Sequence, residues 1–410
     1  MNSKVLFVLK EYYPKPAPTG VCVQNVQRGL LEIGIHSDVL QLGEKEGLIG
    51  CNEYGNIYSI NTVQLRYDTT RRNIALAYLR KIPLLFKWPV YSYRSIRAYR
   101  KWIEMLNSKE QYAAIIGVAL PVETVIASKE FSNFILYELD SIVNNPEYKR
   151  GVKKLYYRRL RHIEQRVYDK AKLIIHLENN REYYTKNERY KKYDKKTVYT
   201  DVPNLIEVKD SKTKTEIIEQ STAFDRYHIT YLGSLFPDYR SPEYIISVLK
   251  KANESMDINC VFYSRGACED IIERNEKENP NLIRKGGYVE HSIVNNIICH
   301  SDFLLSIGNK LTGDDYSLPS KVIEYIGSCK PIIHVCGGKN DSAVAYLRKY
   351  GLACIIDPND SIDENAKKLI SFLKEKKGIC QDFRDLRMTF KMNDPVFTAK
   401  IIEQSISNQR

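Results

Sequence analysis

The chain has 410 residues with a hydrophobic share of 43% and a formal charge of +12. At about 100–200 residues per domain the length implies two domains, and no apolar run approaches the roughly 20 residues that span a bilayer, which excludes a helical membrane protein. The nine cysteines are scattered and include no C-x-x-C pair, so neither a disulfide framework nor a zinc ribbon is expected and a reducing, cytoplasmic setting is.

In chain order, the short apolar run 5–9, flanked by Lys4 and Lys10, reads as a first strand and is too short for a signal-peptide core. A proline-rich loop, Tyr12 to Gly20, follows it and leads into a helix over 21–33. That loop lacks the three-glycine dinucleotide fingerprint, which disfavours a nicotinamide enzyme. Further strands are predicted at 39–42, 112–119, 134–139 and 173–177, with helices at 122–131 and 152–171. Alternation of short apolar runs with longer amphipathic ones means a parallel sheet covered by helices on both faces. Glu138 and Asp140 stand at the end of one such strand, where carboxylates can position or deprotonate a hydroxyl or cap the next helix.

Positive charge is concentrated in two places. Arg71, Arg72, Arg80, Lys81, Lys87, Arg94, Arg97, Arg100 and Lys101 fall in a segment without an acid, interleaved with Tyr78, Leu84, Leu85, Phe86, Trp88, Tyr91 and Tyr93. A second run spans 149–172, with Arg158, Arg159 and Arg161 near its centre. Basic, aromatic-rich segments suit an anionic membrane surface, at about 1 kcal/mol per cation near the headgroups, and the same composition suits nucleic acid.

From 207 to 225 the chain turns polar and charged, which marks a linker. The expected organisation is an N-terminal domain over 1–206, a C-terminal domain over 226–390 and a last helix over 391–410. The second half repeats the alternation, with strands at 229–232, 259–263, 283–289, 303–307, 332–335 and 353–356 and a core-packing helix at 290–301. Its first strand is followed by Gly233-Ser234 and then Arg240-Ser241-Pro242, where Ser241 is expected to cap a helix with Pro242 at its first position.

The most informative stretch is Pro319-Ser320-Lys321-Val322-Ile323-Glu324-Tyr325-Ile326-Gly327-Ser328-Cys329-Lys330-Pro331-Ile332-Ile333. It places a proline-started helix between two buried strands. Such a helix directs backbone N–H groups and a partial positive charge at whatever lies above the sheet, which favours a phosphate. Glu324 lies one turn further in, off the apolar stripe of Val322, Ile323 and Ile326, where a carboxylate can accept hydrogen bonds from a ribose diol.

These residues resemble the donor-site signature of the retaining glycosyltransferases of family 4, the PSK-x-x-EY subgroup. The resemblance covers Gly233 to Ile333 best, with weaker echoes at Val202-Pro203-Asn204 and at 284–289. It implies an α/β chain of two Rossmann-like domains facing across a cleft, the GT-B fold, with C-terminal helices returning to the N-terminal domain. It also implies a hexosyltransferase that uses a nucleoside diphosphate sugar, most simply UDP-linked, as substrate and needs no separate cofactor or metal. Glu324 would hold the ribose, Ser320, Lys321 and Arg240 the diphosphate, and Gly20 and Gly233 would line the donor loops. The family commonly clamps the diphosphate with two basic residues; Ser234 occupies the first of those positions. Many relatives carry a further glutamate eight positions before Glu324, where this chain has Tyr316, preceded by Asp314 and Asp315; the loop 313–317 would offer Asp315 and backbone N–H groups to the hexose. Relatives often have a histidine near Glu138 and Asp140, so these two become the acceptor-side catalytic candidates. By the same resemblance the acceptor is a saccharide or lipid-linked saccharide in surface polysaccharide assembly. Arg94, Arg97 and Arg100 would then bring a cytoplasmic enzyme to the inner face of the plasma membrane.

Two other classes compete. A sugar-nucleotide epimerase of the same fold would act without an acceptor, and a nonenzymatic nucleic-acid-binding protein would bind with a steep salt dependence. The absence of a D-x-D triplet disfavours a metal-dependent single-domain glycosyltransferase, and Gly337-Gly338-Lys339-Asn340 lacks the spacing of a P-loop. The favoured reading has no nucleic-acid partner.

Overall fold

The computed structural model describes residues 4–61, 91–144, 157–210, 226–289, 291–310, 320–339 and 341–407. The basic and aromatic residues from Arg71 to Trp88, the loop holding Asp314, Asp315 and Tyr316, and most of the expected linker lie outside them. The chain forms two compact units, one of residues 1–203 with 392–410 and one of residues 204–391.

In the first unit the strands are β1 (Lys4–Val8), β2 (His36–Gly43), β3 (Gly47–Cys51), β4 (Asn56–Asn61), β5 (Ala114–Val118), β6 (Phe134–Glu138), β7 (Leu173–Leu177) and β8 (Thr197–Thr200). They form one sheet in the order β3-β4-β2-β1-β5-β6-β7-β8. Only β3, against β4, runs antiparallel. β5, β6 and β7 are buried at every position, as strands covered on both faces must be, and that explains their uninterrupted apolar runs. The sequence reading overlooked β3 and β4. Gly47–Cys51 has no buried residue, so it carries no alternating signal.

The first helix begins at Pro18, three residues earlier than predicted, with proline at the start of its first turn, where the missing N–H costs nothing. Helix Tyr93–Glu110 was read from sequence only as a basic segment. It is capped by Ser92, whose Oγ accepts from Ser95 N at 3.1 Å, and buries Ile96, Tyr99, Ile103 and Leu106 at helical spacing. The C-terminal helix Pro395–Ser407 packs on helix Pro18–Glu32 in this unit. A side chain at Gly29 would meet the Pro395 carbonyl 2.6 Å away, so glycine permits the close approach.

In the second unit β9 (Tyr227–Leu235), β10 (Ile258–Gly266), β11 (Ile283–Lys285), β12 (Phe303–Ile307), β13 (Ile332–Val335) and β14 (Ala353–Ile356) form an all-parallel sheet in the order β11-β10-β9-β12-β13-β14. β11 stops at Lys285, short of the predicted 289. On one face Ile229, Phe262, Phe303 and Ile333 pack with Ile245 and Leu249 of helix Glu243–Asn253 and Leu369 of helix Ile362–Lys376. On the other, Leu232, Leu304 and Ile332 pack with Val322, Ile323 and Ile326 of helix Ser320–Gly327. Burying each such side chain stabilises the fold by about 1.5–3 kcal/mol.

Two local expectations are corrected. Pro242 occupies the cap position rather than the first turn, and the helix opens at Glu243, whose N–H donates to Ser241 Oγ at 3.3 Å. Residues 204–208 also belong to the second unit. Leu205 is in its core, Val208 N donates to Gly327 O at 3.2 Å, and a side chain at Gly327 would overlap the Ile206 carbonyl.

Candidate active site

The sheet order of the second unit reverses between β9 and β12, the first strand pairing outward to β10 on one side and to β12 on the other. Ligands of open α/β sheets bind outside the carboxyl ends of the strands at such a switch point, where the flanking loops diverge. A cavity of about 500 Å³ lies there, lined among others by Gly233, Ser234, Arg240, Asn309, Ser320 and Lys321.

Arg240 is placed by its own loop. Phe236 N donates to Arg240 O at 3.1 Å and Arg240 N to Phe236 O at 2.9 Å, closing a five-residue turn, and the Phe236 and Tyr239 rings stack within it, 4.8 Å apart. The guanidinium then donates from Nε to Asn309 Oδ1 at 2.8 Å and from NH1 to the Ser234 carbonyl at 3.4 Å. It is a planar cation pinned across the ends of β9 and β12, suited to a two-oxygen grip on phosphate.

Helix Ser320–Gly327 contributes Ser320 and the exposed Lys321 to the same cavity. The first N–H groups of an α-helix lack intrahelical acceptors and add partial positive charge at that end. Tyr325, buried on the inner side, locks the helix to β9: its hydroxyl accepts from Leu232 N at 3.1 Å and donates to Leu232 O at 3.4 Å. Glu324 is half-buried, is not among the residues lining the cavity, and accepts from Asn204 Nδ2 at 3.3 Å through Oε1. Of the residues singled out in the sequence, Gly233, Arg240, Ser320 and Lys321 therefore meet at one cavity. Asp315 lies outside the described residues.

The sequence reading missed Asn309 and three other residues lining this cavity, Ser306, His334 and Asp341. A signal existed: Ser306 and His334 are the polar residues inside the apolar strands β12 and β13.

In the first unit Gly20 is buried in helix Pro18–Glu32, and an added Cβ would stand 2.5 Å from the Glu11 carbonyl. Glu138 and Asp140 are placed differently from each other. Asp140 is exposed at the end of β6. Glu138 is fully buried; Oε1 accepts from Ile142 N at 2.7 Å and from the Tyr184 hydroxyl at 3.1 Å, and Oε2 accepts from the Tyr168 hydroxyl at 2.5 Å. Burial pushes its carboxyl up to about 7 despite these donors. Burial likewise lowers the adjacent His176 to about 3, which leaves that ring neutral.

Arg94 and Arg97 are exposed on helix Tyr93–Glu110. Arg97 and Arg100 line a groove of about 770 Å³ together with Lys101, Lys129, Ile163 and Arg166. The two basic runs thus converge, although Arg100 is paired with Glu130 at 3.3 Å. Among the described residues no helix is long and apolar enough to cross a membrane, and no cluster of three metal-ligating side chains occurs.

The chain has the GT-B fold of two Rossmann-like units, as its similarity to solved glycosyltransferase structures shows. It is similar to WaaG, a glycosyltransferase involved in lipopolysaccharide biosynthesis, at 12% identity and a TM-score of 0.52, covering 98% of this chain and 99% of that one. It is similar also to sucrose-phosphate synthase from Thermosynechococcus elongatus, at 13% identity and a TM-score of 0.55 over 100% and 97% of the two chains. A third is Anabaena HepE in complex with UDP and glucose, at 12% identity and a TM-score of 0.51 over 100% and 99%. No protein-family model matches the chain, and no curated protein matches it.

Proposed function

We propose that this protein is a glycosyltransferase that moves a hexose from a nucleoside diphosphate sugar, most simply a UDP-sugar, to a saccharide or lipid-linked saccharide, with retention at the anomeric carbon. The observation that carries this reading is the cavity at the β9/β12 switch point, where Arg240, Lys321 and the start of helix Ser320–Gly327 present three sources of positive charge to one place. A departing nucleoside diphosphate gains charge in the transition state, so fixed cations and helix N–H groups stabilise it electrostatically. In this reading those groups replace a divalent metal, and no cofactor is required. Glu324 holds the ribose, and Gly233 lines the donor cavity. On the acceptor side the exposed Asp140 is the carboxylate that touches the acceptor hydroxyl, and the buried Glu138 fixes the turn behind it. The retaining outcome and a role in surface polysaccharide assembly rest on the resemblance of the PSKVIEY stretch to family 4.

The test is calorimetric titration with a panel of nucleoside diphosphate sugars, followed by product analysis with and without acceptor. Glu324→Ala should weaken binding of the preferred nucleotide roughly ten- to a hundredfold, the effect of losing a charged hydrogen-bond acceptor. Turnover should persist in EDTA. Unchanged affinity in Glu324→Ala, with its fold intact by circular dichroism, removes the ribose assignment; sugar inversion without an acceptor replaces transfer by epimerisation.

A further inference from the structure

Ser306 and His334 face each other in the parallel register of β12 and β13. His334 is 1% exposed, with Nδ1 3.1 Å from Ser306 Oγ and Nε2 3.0 Å from Asp341 Oδ2. Asp341 also accepts from Gly337 N at 2.7 Å and, as the cap of helix Ser342–Tyr350, from Ala343 N at 3.0 Å. A side chain at Gly308 would overlap Asp341 Oδ2, so the glycine leaves the carboxylate its seat. All three polar side chains line the cavity that holds Arg240 and Lys321.

With a neutral His334 ring the hydrogen bonds run in one direction. Burial alone would raise the Asp341 carboxyl, but the bonds from His334, Gly337 and Ala343 hold it below its ordinary value, so it is ionised. An ionised carboxylate only accepts, so His334 Nε2 carries a proton, and in the neutral tautomer Nδ1 is an acceptor. In that tautomer Ser306 donates its hydroxyl proton to Nδ1. What it has left for the cavity is oxygen lone pairs, which attract a hydroxyl or N–H donor and repel the oxygens of a phosphate.

We propose that Ser306 is a specificity residue of the donor site that accepts a hydrogen bond from a hydroxyl of the nucleotide sugar, with His334 and Asp341 as positioning residues that fix its polarity. This rests on the nucleotide-sugar reading of the cavity. It divides the cavity chemically: Arg240, Lys321 and the helix start recognise anionic oxygens, whereas Ser306 recognises a donor. A site built to pair a hydroxyl discriminates strongly against an analogue lacking it, because its own buried acceptor is then left unpaired.

The experiment compares wild type and Ser306→Ala by calorimetry against UDP-glucose, its monodeoxy analogues on the ribose and hexose, and inorganic pyrophosphate. Ser306→Ala should weaken UDP-glucose roughly tenfold and leave pyrophosphate within twofold. One monodeoxy analogue should bind wild type about tenfold worse than UDP-glucose and should lose nothing further in the variant, the non-additivity expected of two groups in contact. Nitrogen-15 spectra should show His334 Nδ1 unprotonated in wild type. Asp341→Asn should shift that tautomer and lose the same discrimination. Equal UDP-glucose affinity in Ser306→Ala, or an equal loss for pyrophosphate, overturns the contact while leaving the nucleotide-sugar reading in place. A wild-type protein that binds pyrophosphate but none of the nucleotide sugars overturns both.

Discussion

Arg240→Lys separates the geometry of the cation from its charge. The substitution keeps one positive charge at the cavity but removes the planar fork, and lysine has no counterpart of the Nε–H that holds Asn309 Oδ1 at 2.8 Å. A guanidinium has five N–H donors. Two of them are engaged by Asn309 and the Ser234 carbonyl, and Tyr231 is a further partner of the guanidinium. Loss of one charge-assisted bond to a phosphate costs about 1.5–3 kcal/mol, equivalent to a roughly 10- to 150-fold rise in the Kd for UDP. Arg240→Met, which removes the charge as well, should weaken binding further and reduce its salt dependence. Isothermal titration with UDP, with thermal unfolding as the control, reads both effects. A Kd for Arg240→Lys within twofold of wild type, at unchanged melting temperature, would falsify the assignment of Arg240 as the phosphate clamp.

Tyr325→Phe should destabilise the second unit by about 1–3 kcal/mol, because the buried Leu232 N–H loses its partner; a change below 0.5 kcal/mol in chemical denaturation would show that Leu232 is satisfied without it. Glu138 has a folded pKa of about 7 against an ordinary 4.5, so its contribution to stability is complete below pH 4.5 and is lost as the pH rises through 7. Its linkage is worth at most about 3 kcal/mol. Glu138→Gln, neutral at every pH, should flatten the stability of the first unit across that window, and identical pH profiles for the two proteins would contradict the assignment. Replacing Arg94, Arg97 and Arg100 by Gln should weaken cosedimentation with anionic vesicles severalfold and leave UDP affinity unchanged. Salt should reduce wild-type vesicle binding, since exposed charges are screened beyond about 10 Å at 0.1 M; equal binding to neutral vesicles would refute a membrane role for this face.

Much of the fold is legible in the sequence because local pattern decides it. Uninterrupted apolar runs such as 303–307 and 332–335 are what strands covered on both faces require, and Val322, Ile323 and Ile326 beside Glu324 mark a helix with one buried face. The charged stretch 207–225 suggests a boundary by composition, but the units divide at 203/204, and burial of Leu205 and Val208 with Gly327 of the second unit decides that. Helix Tyr93–Glu110 was concealed by its own arginines, which dominate the composition while Ile96, Tyr99, Ile103 and Leu106 supply the packing.

For the candidate site, the sequence singled out Arg240, Ser320 and Lys321, which line one cavity, and Glu324, which does not line it. The spatial partners were decided only by tertiary structure. Asn309 meets Arg240 across the ends of β9 and β12, and Arg97 shares a groove with Arg166 of a distant helix. Ser306 and His334 meet through the register of two neighbouring strands. Register is a long-range property: a shift of one residue turns a side chain to the other face of the sheet. Ser306 alone is an unremarkable polar residue in an apolar run, and it acquires its chemistry from the histidine and aspartate that the fold sets behind it.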